Sequence, residues 1–193
     1  MKRSDFKQVL LAFFVVLILS FSYLFFLYMY KYSISKKDNL DDIEIKYNSI
    51  NSVELKDTLP LSDKIGKTIS YEDIDNNIEG YIEFSISNKT NKSVNYEIYI
   101  IRNESKNEID TRFVKMYLSD SDGNPLGIYN KNFSPTYYSL NYIDDFPEAK
   151  SVYKGTIDGM KKENFIFRAW VSDGYSFQSK ENIFNFSIGV RTL

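Results

Sequence analysis

The residues best placed to do chemistry here are aromatic, not nucleophilic. Tyr99, Tyr117, Tyr137, Tyr138 and Trp170 fall on or near the polar phase of alternating segments, where a ring turned to solvent stacks on a sugar or on a protein partner. They form the candidate ligand or partner surface. The competing reading is that a loop or a second layer covers that face, since tryptophan usually buries most of its surface. Oxygen ligands come second. Asp120-Ser121-Asp122-Gly123-Asn124 sets oxygen-bearing side chains at alternate positions, as a calcium loop begins, but Pro125 stands where that loop needs its glycine and Lys131 where it needs its last acid. A tight turn is the better reading. Asp144, Asp145 and Glu148, beside Phe146-Pro147, read as a solvated acidic loop.

The composition closes off much familiar catalysis. The 193 residues include no cysteine and no histidine, which removes the thiolate nucleophile, the disulfide, the usual zinc ligands and the Ser-His pair. Two carboxylates can hydrolyse a glycoside, but no pair here stands out by spacing. The expectation is therefore a protein that is not an enzyme, with no catalytic residue, no cofactor and no metal ligand. Charge is close to balanced, 24 basic against 26 acidic residues, and both signs are scattered. No basic stripe points to nucleic acid.

The elements that position these residues divide sharply. Residues 9–30 (VLLAFFVVLILSFSYLFFLYMY) form one uncharged apolar run bracketed by Lys7 and Lys31. At 1.5 Å per residue it is roughly 33 Å long, about a bilayer's hydrocarbon core, so it reads as a single transmembrane signal anchor. A cytoplasmic tail of residues 1–8 would precede it and a juxtamembrane spacer of residues 31–42 would follow. This gives a single-pass protein of the cell membrane with its C-terminal part outside, and the membrane as its first partner. The alternative is secretion after cleavage near Ser22, where Ser20-Phe21-Ser22 offers small residues.

From residue 43 to residue 193 the period is two, the pattern of an extracellular β-sandwich domain. Ile43, Ile45 and Tyr47 alternate with charges, as do Val53 and Leu55. A turn-rich stretch covers 57–77. Ile82, Phe84 and Ile86, a polar tip at 88–92, then Val94, Tyr96, Ile98 and Ile100 read as a hairpin. Later strands are expected at 113–118, 137–142, 152–157, 165–171 and 183–190. With no helical period after residue 32 and turns recurring roughly every ten residues, the fold class is all-β, a sandwich of about eight to ten strands.

Several segments taken in order resemble the TasA- and camelysin-like bacterial surface proteins. They are residues 59–67 (LPLSDKIGK), 81–88 (YIEFSISN) with 94–100 (VNYEIYI), 114–120 (VKMYLSD), and 153–157 (YKGTI) leading to 165–170 (FIFRAW) and a final strand. The resemblance covers about residues 52–190. It implies a jelly-roll-like sandwich at the cell surface with no enzymatic activity and, in the fibre-forming relatives, polymerisation by strand addition. This chain departs from the fibre subunits at its N-terminus, where the apolar run continues past Ser22 through residues 24–30. The resemblance thus implies a membrane-tethered protein that contributes to envelope or matrix structure through contacts with other surface proteins or with itself. The alternative function is a carbohydrate- or cell-wall-binding module using the exposed rings.

Overall fold

The computed structural model describes residues 20–23, 42–48, 51–76, 80–103, 108–129, 132–176 and 182–193. The chain divides into two compact units, Met1–Asp41 and Asp42–Leu193. In the first unit only residues 20–23 are described, and they are helical. The expected tail, the rest of the expected anchor 9–30, and the spacer up to residue 41 lie outside the described residues. No helix among those described is long and apolar enough to cross a membrane.

The second unit is a β-sandwich of two antiparallel sheets. Its strands are β1 (Ile43–Tyr47), β2 (Ser52–Lys56), β3 (Tyr81–Asn88), β4 (Val94–Asn103), β5 (Val114–Asp120), β6 (Tyr142–Ile143), β7 (Phe146–Ile157), β8 (Lys162–Val171) and β9 (Ile183–Thr192). One sheet runs β1-β3-β8-β5 and the other β2-β9-β4-β7-β6. Alternation explains the core between them. Ile82, Phe84 and Ile86 of β3 and Phe165, Phe167 and Ala169 of β8 are buried from one side; Ile98 and Ile100 of β4 and Phe184, Phe186 and Ile188 of β9 are buried from the other. Phe167 meets Phe186 edge-on across the gap, centroids 5.7 Å apart, and Tyr96 meets Phe165 at 6.2 Å.

The expected hairpin over residues 82–100 is not one. Strand β3 pairs with β1 and β8, whereas β4 pairs with β7 and β9 in the other sheet. Both strands carry an apolar face, and opposing those faces across the core buries both without placing the strands side by side. The corner is held by Asn88, 2% exposed. Its amide donates to the carbonyls of Lys92, Ile157 and Asp158 at 2.7, 3.1 and 3.2 Å, while its oxygen accepts from the Thr90 N–H at 2.9 Å and hydroxyl at 2.8 Å. The expected strand over 137–142 is also replaced, by a 3₁₀ turn at Tyr137–Ser139 followed by the two residues of β6.

Over β8 and β5 the outer face of the β1-β3-β8-β5 sheet is covered by residues 61–69, which include the one-turn helix α1 (Asp63–Gly66). Leu61 fastens this cover to the end of β8, donating to the Val171 carbonyl at 2.8 Å and accepting from Asp173 at 3.1 Å. Arg168 fastens it from below. Its Nε donates to the Ile69 carbonyl at 2.7 Å, its Nη1 to the Ser119 hydroxyl at 3.2 Å, and its guanidinium lies over the Tyr81 ring at 5.6 Å. Gly66 rests on the Trp170 indole so closely that a Cβ there would fall among the ring atoms.

Candidate functional site

Of the five rings singled out from the sequence, the structure presents one to solvent. Trp170 is 2% exposed beneath Gly66. Tyr117 is buried under the same cover, with the Lys67 ammonium 5.5 Å above its ring and Tyr129 edge-on at 6.5 Å. Tyr99 lies half-buried on the outer face of the second sheet, seated on Gly189 and against Phe146 at 5.6 Å. Tyr137 is buried against Phe184 at 5.2 Å, and Tyr138 is 66% exposed. The polar phase of a strand marks its outer face, not its accessibility, and here most of that face is covered.

Tyr138 belongs to a group that the structure assembles at one end of the second sheet. Thr136 caps the 3₁₀ turn, its hydroxyl accepting from the Ser139 N–H at 3.3 Å, and so orients Tyr137 and Tyr138. Strand β6 then adds Tyr142, 64% exposed. Beneath them lies Lys150, delivered by a β-bulge. On β7 Tyr153 pairs with Ile98 and Ser151 with Tyr99, leaving Val152 as the extra residue. That insertion reverses the phase of the strand, so Lys150 pairs with Ile100 on the inner face.

Lys150 is 3% exposed. Its ammonium donates to the carbonyls of Tyr137 and Tyr138 at 3.1 and 3.4 Å and stands 4.6 Å from the Tyr137 ring centroid, 4.5 Å from that of Tyr142 and 6.0 Å from that of Tyr138. It makes no carboxylate ion pair among the described residues. Burial, and then the nearby Arg102 charge, hold its pKa below the usual lysine value.

Tyr142 stands between two clefts. One, of about 820 Å³, has Arg102, Asn103, Glu108, Tyr137 and Glu148 in its walls; the other, of about 200 Å³, has Glu97, Asp144, Asp145, Lys154 and Arg191. Arg102 is ion-paired with Glu108, and its Nε is buried without a hydrogen-bond partner among the described residues. Glu97, 1% exposed, accepts from the Ser151 hydroxyl at 2.6 Å and from Arg191 Nε and Nη2 at 2.8 and 2.7 Å, with Lys154 at 3.4 Å. Burial alone would raise its pKa; the hydrogen bonds from Ser151 and Arg191 and the two cations outweigh that and hold it below the usual carboxylate value. The acidic loop Asp144–Asp145 thus forms part of a cleft wall. Flat rings flanked by alternating donors and acceptors suit a polyhydroxylated ligand.

The Asp120 loop is a turn built on its own carboxylate. Asp120 accepts from the N–H groups of Asp122 and Asn124 at 3.0 and 2.8 Å and from the Asn124 amide at 2.9 Å. Sequence reasoning missed Tyr142, Lys150, Arg102 and Glu108. The cluster Tyr137-Tyr138…Tyr142 was a usable signal for the first; an inward lysine set by a bulge leaves none.

No family model matches the chain, and no curated protein matches it. Among solved structures, the chain is similar to a β-glucosidase from Kluyveromyces marxianus in complex with glucose, at 10% identity over 74% of this chain and 15% of that one, with a TM-score of 0.29. It is also similar to the collagen adhesin of S. aureus, at 12% identity over 77% and 54% with a TM-score of 0.22. A third is TmCBM61 in complex with β-1,4-galactotriose, at 7% identity over 78% and 88% with a TM-score of 0.20. The chain spans about 15% of the length of the β-glucosidase.

Proposed function

We propose that this chain is a non-enzymatic surface module, tethered to a cell membrane by the apolar run 9–30, whose sandwich binds a saccharide across Tyr138 and Tyr142. One observation carries the reading: two tyrosines, 66% and 64% exposed, both approach one buried ammonium, and Tyr142 borders a cleft of about 820 Å³ walled also by Arg102, Asn103, Glu108 and Glu148. Exposed rings with polar groups beside them offer stacking and hydrogen bonding in the combination that sugars need. Within the cleft Glu108 is tied to Arg102 as an ion pair.

The order of its connections supports a jelly-roll winding of the sandwich. From β1 through β6, and again from β7 to β9, each strand is followed by one in the opposite sheet, as a wound sandwich requires. Binding of the full chain, purified in detergent, to a panel of neutral, acidic and N-acetylated glycans tests the reading. The expected result is retention of at least one glycan class, weakened about tenfold by Tyr142→Ala, as losing a stacking contact of about 1 to 1.5 kcal/mol requires. An empty panel counts against it.

A second reading is favoured by the sheet edges. Strands β1 and β2, each of five residues, end their sheets with one side unpaired among the described residues, where another chain could add a strand. This is the route to envelope or matrix contacts that the resemblance to TasA- and camelysin-like proteins implies. Sedimentation of the full chain decides it, and a monomer at every concentration tested argues against edge pairing.

A further inference from the structure

Resting on the saccharide reading above, we infer that Lys150 makes the tyrosine platform selective: it accepts neutral or N-acetylated sugars and rejects their free-amine counterparts. The ammonium covers one face of Tyr142 at 4.5 Å and one face of Tyr137 at 4.6 Å. Tyr142 is nevertheless 64% exposed, so its opposite face is the one that meets solvent and ligand. A tyrosine face attracts cations through the ring quadrupole. Here that attraction is already taken up from below, and a sugar ammonium stacking from above would meet a like charge about 8 Å away through the ring.

Burial decides which charge governs the choice. Lys150 is 3% exposed and its two hydrogen bonds go to backbone carbonyls, so no carboxylate among the described residues cancels its charge. Arg102, the other cation at this end, is offset by Glu108. Glu148, Asp144 and Asp145 are exposed carboxylates on the cleft walls and would attract an amine. Their fields are screened by water and salt within about 8 to 10 Å, whereas the field of a buried ammonium is screened less. The repulsive contribution therefore prevails, by about tenfold in affinity.

The test uses the full chain and matched probes: each neutral N-acetylated oligosaccharide that binds, beside the same oligosaccharide with its acetyl groups removed. The wild-type chain should favour the acetylated probe about tenfold or more, and the ratio should fall only in part in about 0.5 M salt, because a buried charge is screened less than an exposed one. Lys150→Met should bring the ratio close to one, whatever its effect on the affinity for the acetylated probe; Lys150→Arg, which keeps the charge, should keep the preference. If Lys150→Met does not fold, the wild-type ratio and its salt dependence decide. Equal binding of both probes, a preference for the amine, or a ratio that vanishes with salt overturns the inference and leaves the saccharide reading standing. Binding of no saccharide overturns the reading itself, and the inference with it.

Discussion

Gly66→Ala separates local propensity from packing. Gly66 closes a single helical turn without a positive φ, so by helix propensity alone alanine should stabilise the chain by up to about 1 kcal/mol. The structure reverses the sign. A Cβ at this position falls among the Cδ2, Cε2 and Cγ atoms of Trp170, an indole 2% exposed and held between β8 and the cover. Overpacking of this kind costs about 1 to 3 kcal/mol, so the net loss is about 1 to 2 kcal/mol. For a unit of this size that is roughly 2 to 8 °C in Tm. Trp170 is the only tryptophan in the chain, so its fluorescence reports on this contact directly. Thermal unfolding followed by that emission should show the lower midpoint, and the native spectrum should shift to the red as the turn lifts from the ring. An unchanged spectrum with equal or higher stability would refute the placement of α1 on Trp170.

The remaining predictions concern the second sheet. Glu97→Gln should lower stability at neutral pH by about 1 to 3 kcal/mol, the low end of a broken buried pair because Arg191 and Lys154 can still reach water. Because the folded carboxyl is held below its ordinary value, its stabilising contribution is present above the unfolded pKa of about 4.3 and is lost as pH falls through the folded one. Denaturant titrations of the wild-type and Gln chains should therefore converge on acidification, and curves that stay parallel down to low pH would contradict the assignment. Adjacent tyrosines should behave oppositely: Tyr137→Ala, 5% exposed, should cost about 3 kcal/mol, while Tyr138→Ala should stay within about 0.5 kcal/mol of wild type. Chemical denaturation distinguishes the two.

The core was legible because period-two alternation survives wherever one face of a strand is buried. Ile82, Phe84 and Ile86, and likewise Phe165, Phe167 and Ala169, sit where their spacing puts them. Pairing was less so. A polar tip between two alternating runs serves a hairpin and a sheet-to-sheet corner equally well, and only the five hydrogen bonds of Asn88 distinguish them. The site was legible in part. Tyr138 is exposed, but Trp170 and Tyr117 lie beneath a cover, residues 61–69, whose own sequence shows only turn signals. Lys150 escaped because the bulge at Val152 inverts the phase of β7, and a phase inversion arises from the partner strand, not from the residues themselves.

The central claim is that Tyr138 and Tyr142 form a saccharide platform. The most direct test is calorimetric titration of a glycan retained by the full chain into that chain and into Tyr138→Ala/Tyr142→Ala, which removes both exposed rings and leaves the buried core in place. Saturable binding by the wild type and a loss of about tenfold or more in the double variant are expected, with stability lowered by about 1 kcal/mol through loss of the Tyr142 ring over Lys150. Equal affinity in the two proteins would place the ligand elsewhere and contradict it.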